Sequence, residues 1–518
     1  MAVNTAPAQV VPNRGWGSIV LGASLHDLLG RLKAQPQIYP KLDLSYSATE
    51  PVLSAVLVTL PANGFRLRFD GPDQRLRLIE VLDFTKHRLS YKNTEIVKLS
   101  PEAPPTAEEL SKEPTGPTFR HVYSRLFGPT FPGEYIAPPA RETSEYGTYV
   151  LSYPGIAFSF PLRNSAWSPD VDFVSLLSSS AAAPAVSMAI FNGSSWPEAR
   201  TELFTREPPN PRSLSSTARG VDGRADESDM VKIRGGGRIE VVRRSGTPFV
   251  IVLSQTTPQD LVAELGPPDA IYRKNDRRLT IHRALTPATG PNLWPALPAN
   301  GPAELTDTEA SSATDGSDNE GQPRHGGVDD MTATECFYNY FHHGFDVFVS
   351  APTAPSPPWP MSPPATPTEF LASNHLTATK VLLHANVPGS YPFNRHRRIR
   401  WSIEHLPPTA GTESVDSEMK FDEIASHLRS MWQGTSDDET ADGGLHRGMV
   451  LNRGWGDSPG SSCELLGGWE ENARGRRKAV GDGSADAELA LGNTELFGFP
   501  GLIFEVLKSG TVSCLTVF

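Results

Sequence analysis

Few side chains in this 518-residue sequence are spaced for chemistry. One G-x-S-x-G string, Gly456–Gly460 (GDSPG), has the form of a hydrolase nucleophile elbow. That motif needs a buried strand before it and a helix after it. Here it falls in a Gly-rich stretch with Pro459 inside it, so it reads as a chance match. His342 and His343 are adjacent ahead of a strand-like run, and successive strand residues point to opposite faces, so the two rings are poorly placed to share one ion. His282, His384 and His396 fall on separate strand-like segments without H-E-x-x-H spacing. No P-loop and no dinucleotide-binding glycine pattern occurs, and Gly235–Gly237 reads as a turn in a polar segment. Cys336, Cys463 and Cys514 are scattered singly, which fits neither a disulfide framework nor a zinc knuckle and suits a reducing compartment. The reading is of a non-enzyme with no catalytic residue, metal site, cofactor or small-molecule substrate.

The densest charge is NRHRRIRW, with Arg395, His396, Arg397, Arg398 and Arg400. Such a cluster can grip an anionic lipid head group or a partner, because guanidinium groups bind phosphate in bidentate fashion. The competing reading is a solvated edge strand that uses charge to avoid aggregation. A second basic run, Ala473–Ala479 (ARGRRKA), is either a nuclear-import or nucleic-acid patch or a charge-balanced piece of loop. A net charge of −12 opposes nucleic-acid binding by the chain as a whole.

These residues must be positioned by elements that the sequence writes more than once. Ser24, Asp27, Leu28 and Leu32 recur as Thr257, Asp260, Leu261 and Leu265: a hydroxyl N-cap, an acid in the first turn, then an apolar stripe. Thr118, Val122 and Leu126 repeat three of these places, and Ile424 with Leu428 gives a weaker fourth match. After each comes an alternating strand headed by glycine, at Gly64, Gly155, Gly344 and Gly501. The fold class is therefore α+β, with about four tandem helix-plus-antiparallel-strand units paired into two lobes. The first unit spans 1–100 and the second 118–192, with 193–240 as linker or irregular chain. The third combines 241–285 with 335–406, and the fourth 407–432 with 494–518. Segments 286–334 and 433–493 read as disordered inserts, being too poor in apolar residues to offset their ordering entropy, and 350–373 as a Pro-rich insert.

Composition agrees: 38% of residues are hydrophobic, with 48 prolines and 44 glycines. The N-terminus lacks the charged and apolar regions of a secretory signal, and no apolar run nears the roughly 20 residues of a membrane span. Cys514 stands fifth from the end, one place off a prenylation signal.

Several blocks occur together in order: LGASLHDLLGRLK, GFRLRFDGPDQRLRLIEVLDF, GPTFPGEY, LGPPDAIYRKNDRRLTIH, CFYNYFHHGFDVFVS, KVLLHANVPGSYPFNRHRRIRW and GLIFEVLKSGTVSCLTVF. The chain so resembles the phagophore (phagosome) assembly factor family, as a fungal-type member whose inserts animal members largely lack. The matching motif positions are Phe69, Asp70, Gln74 and Arg75 in the first half, and His384, Asn386, Pro388, Gly389, Tyr391 and Asn394 in the second. The Arg-rich tail after Phe393 departs from animal relatives, which are less basic there. The resemblance implies a non-enzymatic autophagy adaptor in complex with a β-propeller protein that binds phosphoinositides. It implies a cytoplasmic protein recruited to the phagophore assembly site, with an older inference for the family placing it at the trans-Golgi. The alternative is a peripheral lipid-binding protein or a Golgi-to-plasma-membrane trafficking factor.

Overall fold

The computed structural model describes residues 8–97, 116–139, 144–209, 227–244, 247–273, 335–351, 375–404, 414–432, 449–452 and 493–518. The first half opens with short strands β1 (Ala8–Val11), β2 (Gly15–Trp16) and β3 (Ile19–Val20), then helix α1 (Leu25–Lys33). Strands β4 (Asp43–Ser45), β5 (Val56–Leu60), β6 (Phe65–Phe69), β7 (Leu76–Val81), β8 (Leu89–Tyr91) and β9 (Thr94–Glu95) follow. A helical turn α2 (Phe119–His121) runs into a wider π turn, Val122–Leu126. Next come β10 (Glu134–Ile136), β11 (Tyr146–Tyr153), β12 (Ile156–Arg163), α3 (Phe173–Ser178), β13 (Ser187–Ile190) and α4 (Trp196–Thr201).

The second half repeats the strand inventory, with fewer helices among the described residues. It begins with β14 (Ser228–Arg234), β15 (Arg238–Arg243), β16 (Phe249–Val252) and helix α5 (Pro258–Leu265). Strands β17 (Ala270–Arg273), β18 (Cys336–Tyr340), β19 (Phe345–Ser350), β20 (Thr377–His384), β21 (Arg400–Ile403) and β22 (Val415–Asp416) follow. Helix α6 (Phe421–Trp432) precedes β23 (Met449–Asn452), β24 (Asn493–Phe499), β25 (Leu502–Leu507) and β26 (Val512–Val517).

Each half carries one five-stranded and one eight-stranded sheet. The small sheets run β3-β2-β1-β8-β9 and β16-β15-β14-β21-β22, each with one parallel pair, β1 with β8 and β14 with β21. The large sheets run β4-β5-β6-β7-β13-β12-β11-β10 and β17-β18-β19-β20-β26-β25-β24-β23. The strand orders thus coincide between the halves, and the large sheets are antiparallel throughout.

The local chemistry accounts for these elements. Ser24 Oγ accepts the Asp27 N–H at 3.1 Å, and Thr257 with Asp260 forms a full capping box. Gly64, Gly155, Gly344 and Gly501 sit at hairpin tips with φ of +70°, +77°, +87° and +74°, in the left-handed region that a side chain resists. At Thr118 the expected helix is reduced to α2 and its π turn, because Gly128 (φ +86°) and Pro129 halt it. Each core lies between its helices and one face of its sheets. Leu25, Leu28, Leu29 and Leu32 join Val56, Leu67 and Phe158 in one cluster, and Leu261, Ile424 and Leu428 join Val347, Trp401 and Phe504 in the other.

Two boundaries read from the sequence change. The described residues of segment 193–240 are not irregular: they hold α4, β14 and the start of β15, with Val231, Ile233 and Ile239 buried beside the Gly235–Gly237 turn. The short alternation between charged residues carried that signal, and the surrounding Gly and Arg obscured it. Within 433–493, Met449–Asn452 forms a strand paired with Asn493–Leu496, so this stretch belongs to the sheet. The rest of that insert, 286–334 and most of 350–373 lie outside the described residues, as do His282, Gly456–Gly460, Cys463 and Ala473–Ala479. No described helix is long and apolar enough to cross a membrane.

Leu28→Ala and Leu261→Ala are each expected to cost about 2–5 kcal/mol in denaturant unfolding, since both side chains are fully buried. A loss below about 1 kcal/mol would place these side chains outside a packed core.

Candidate functional site

The motif residues of the two halves meet. Between β6 and β7, Asp70 accepts the Asp73 N–H at 2.7 Å and pairs with Arg77, shaping a tight loop. In that loop Gln74 is buried with φ of +49°, which turns its amide toward the other half. There Gln74 Nε2 donates to the Asn386 carbonyl at 2.9 Å, and Asn386 Nδ2 donates back to Gln74 Oε1 at 2.8 Å. Asn386 itself has φ of +47°, and its Oδ1 accepts the N–H of Asn394, whose φ is +63°. Phe69 is fully buried at the end of β6 and Pro388 is buried in the opposing loop, with Tyr391 half-buried. Gly389 passes against Tyr46 so closely that a Cβ would stand 2.2 Å from the phenol oxygen. Val52 of the first half packs with Ala385, Val387 and Leu507 of the second.

The basic cluster flanks this joint, and its His396, Arg397 and Arg398 face inward, so these three are not the solvated side chains that the sequence suggested. Only Arg395 is exposed; His396, Arg397 and Arg398 are each 3% exposed. Arg398 donates to the Pro72 carbonyl at 2.6 Å, to the Ala385 carbonyl at 3.0 Å and to Glu418 at 3.2 Å. Arg400 bridges Glu418 at 3.0 Å and Asp73 at 3.2 Å. Arg397 contacts Glu227 at 3.3 Å, the His342 carbonyl at 2.8 Å and the Ser228 carbonyl. Arg75, from the opposite half, reaches the same Glu227 oxygen at 2.5 Å. The Arg397 and Arg398 guanidinium groups are paired and withdrawn from water, while Arg400 is paired but partly exposed.

Electrostatics tie the groups together. Burial would raise the pKa of Glu227, but the adjoining Arg75 and Arg397 charges hold it below the ordinary carboxylate range. Burial and the neighbouring Arg75 charge lower Arg397 to about 10, against the pull of Glu227. His343 sits in the hairpin turn before β19, with Nδ1 2.8 Å from Ser228 Oγ. Burial, then the charges of His342 and Arg397, push its pKa well down. His342 turns outward to Asp269 at 2.7 Å, so the adjacent histidines do go to different partners.

A second cluster lies on the outer face of the large C-terminal sheet. His384 Nε2 is 2.9 Å and His396 Nε2 2.7 Å from the two oxygens of Asp346. The rings stack with centroids 3.8 Å apart. Sequence spacing treated these histidines as unrelated; the fold joins them because residues 385–399 double back over the strand that ends at His384. The hydrogen bond from Ile399 N–H to the His384 carbonyl closes that return. The residues that sequence reasoning missed are Glu227, Asp346, Glu418 and Ser228. Asp346 had a readable signal, an acid inside the apolar run GFDVFVS. Glu227 and Glu418 sit in polar surroundings where nothing distinguishes them.

The chain matches the family model described as Phagosome assembly factor 1 over residues 15–293 and 364–518. It is similar to a PHAF1 protein of Arabidopsis thaliana, 23% identical over 98% of this chain and 92% of the relative. A PHAF1 protein of Drosophila melanogaster is 21% identical over 98% of this chain and 93% of its own length. One from Caenorhabditis elegans is 22% identical over 76% and 77% respectively. No solved structure gives a significant match.

Glu227→Gln leaves two buried guanidinium groups without their shared counter-charge, and is expected to cost about 3–5 kcal/mol in denaturant unfolding. A change under about 1 kcal/mol would mean that the triad is not desolvated. For His343 the sign follows from its lowered pKa. Below about pH 6.5 the unfolded chain takes up a proton there that the folded chain does not, so stability falls on acidification by up to about 1.4 kcal/mol per pH unit. His343→Gln is expected to flatten the stability profile between about pH 6.5 and 5, and an unchanged slope would exclude a neutral buried imidazole.

Proposed function

This chain belongs to the phagosome assembly factor 1 family, and from that premise we propose that it is a non-enzymatic adaptor in phagosome assembly. In this reading it works at the phagophore assembly site with a β-propeller protein that binds phosphoinositides, and takes its membrane affinity from that partner. The supporting observation is the inward direction of the basic cluster. Arg397 and Arg398 are committed to Glu227, Glu418 and backbone carbonyls, so the chain's densest positive charge serves cohesion. The matching strand orders of the two halves support a tandem duplication, in which four helix-and-strand units pair into two lobes. Such a body offers partners its sheet edges and loops. Exposed apolar side chains stand there, among them Phe131 (88%) before β10, and Ile271 (54%) and Tyr272 (62%) on edge strand β17.

The test combines affinity capture from extract of the source cells with flotation of the purified chain on phosphoinositide liposomes. Recovery of a β-propeller protein, with flotation only when that protein is added, is the expected result. Strong flotation of the chain alone, lost in Arg395→Glu, would overturn the adaptor reading in favour of a direct lipid binder.

A further inference from the structure

On the large C-terminal sheet, Asn339 lies opposite Asp346, Asp346 opposite Leu382, and His384 opposite Cys514. Asn339, Asp346, His384 and Cys514 therefore share one face, because side chains alternate along a strand and directly opposed residues match. The other face carries Phe345, Val347, Leu383 and Leu515 into the core. The polar face is roofed by residues 385–399, which bring His396 down between the edge of Phe341, 4.8 Å away, and the stacked ring of His384.

We propose that Asp346, His384 and His396 form a zinc(II) site that pins residues 385–399 to the sheet. Two imidazole nitrogens and a carboxylate oxygen lie within 4.8 Å of one another, from two strands and the returning loop. Zinc bonds of about 2.0–2.2 Å to such donors need them roughly 3.3 Å apart in a tetrahedron; the two imidazole–carboxylate pairs, at 2.9 and 2.7 Å, have to open by about half an ångström to exchange their hydrogen bonds for an ion. Paired imidazoles with one carboxylate suit this borderline-soft ion better than calcium or magnesium, which take oxygen donors. The surrounding groups have the character of a supporting shell. Asn339 Nδ2 donates to Asp346 Oδ1 at 2.9 Å and so fixes the carboxylate, and Cys514 stands directly across the ladder from His384. Asp346 and His396 are 6% and 3% exposed, so the donors are already withdrawn from bulk water. Three protein ligands leave one position for water.

The consequence reaches the joint between the halves. The same loop carries Asn386, which bonds Gln74; Arg395, whose carbonyl meets His26 Nε2 at 3.2 Å; and Arg398, which bonds Pro72. An ion at the base of the loop stiffens all three contacts together.

The test uses the full-length chain, freed of any histidine tag, stripped with chelator and titrated with zinc(II) by calorimetry, with metal content measured after dialysis. One tightly bound zinc per chain is expected, lost in His396→Gln and retained in His342→Gln, whose ring serves Asp269. Asn339→Leu is expected to weaken binding about 10–100-fold. Circular dichroism checks that each variant folds. Should His396→Gln not fold, cobalt(II) substitution of the unmutated chain decides: d–d bands of four-coordinate nitrogen and oxygen ligation support the site, and an octahedral aqua-like spectrum overturns it. Absence of stoichiometric zinc in the unmutated chain, or binding that survives His396→Gln and Asp346→Asn alike, an adventitious ion only, would also overturn it.

Discussion

The architecture turns on a carboxylate held between two guanidinium groups. Glu227 stands at the entrance to the second half's first strand, with Arg75 from one half and Arg397 from the other on the same oxygen. Removing three charges from water is costly, and their attraction repays it only with good geometry and satisfied remaining donors. Here the Gly22, His342 and Ser228 carbonyls take up guanidinium N–H groups that Glu227 does not. Sliding one half against the other would strand a buried charge, so the halves hold one registry. Apolar contact at the same joint joins Val52 to Ala385, Val387 and Leu507, and places Phe393 of the second half in the core of the first. Specificity here comes from polar groups and bulk cohesion from the two cores, the first of which takes in Phe393.

One asymmetry between the halves bears on their joint. In the first half, residues 82–88 link β7 to β8; in the second, the corresponding link from β20 to β21 is residues 385–399. The longer link supplies Asn386, Gly389, Asn394, His396, Arg397 and Arg398. Three residues at this joint, Gln74, Asn386 and Asn394, adopt positive φ without being glycine. The Gln74 and Asn386 side chains bond across it and the Asn394 backbone N–H braces Asn386 Oδ1, so the backbone cost is offset by these hydrogen bonds.

Much of the fold was legible in the sequence, and the reason is local. The Ser24 and Thr257 caps, the leucine stripes and the hairpin glycines act within a few residues, where spacing is informative. The small sheets were not legible, because their parallel pairs join Met230 to Arg400 and Ala8 to Leu89 across long stretches of chain. The site divides in the same way. FDGPDQRL and HANVPGSYPFN stood out as motifs, yet their mutual contact spans over three hundred residues and leaves no periodic trace. The Arg-rich run was misread as surface because a guanidinium's partner is chosen by tertiary structure: Glu227, Glu418 and Asp73 give no local sign of their roles. His384 and His396 were separated for the same reason, as the loop's return over Asp346 is invisible to spacing rules.

The order in which this chain leaves the ribosome gives the Arg75 site a further meaning. By the time α4 has emerged, the first half has its sheets, its helix α1 and a buried arginine whose principal counter-charge, Glu227, is not yet made. The last members of the seam, Arg397, Arg398 and Glu418, come much later still. The Arg75 ion pair therefore closes only once chain beyond the first half has been made. Full cohesion of the seam waits for the C-terminal half.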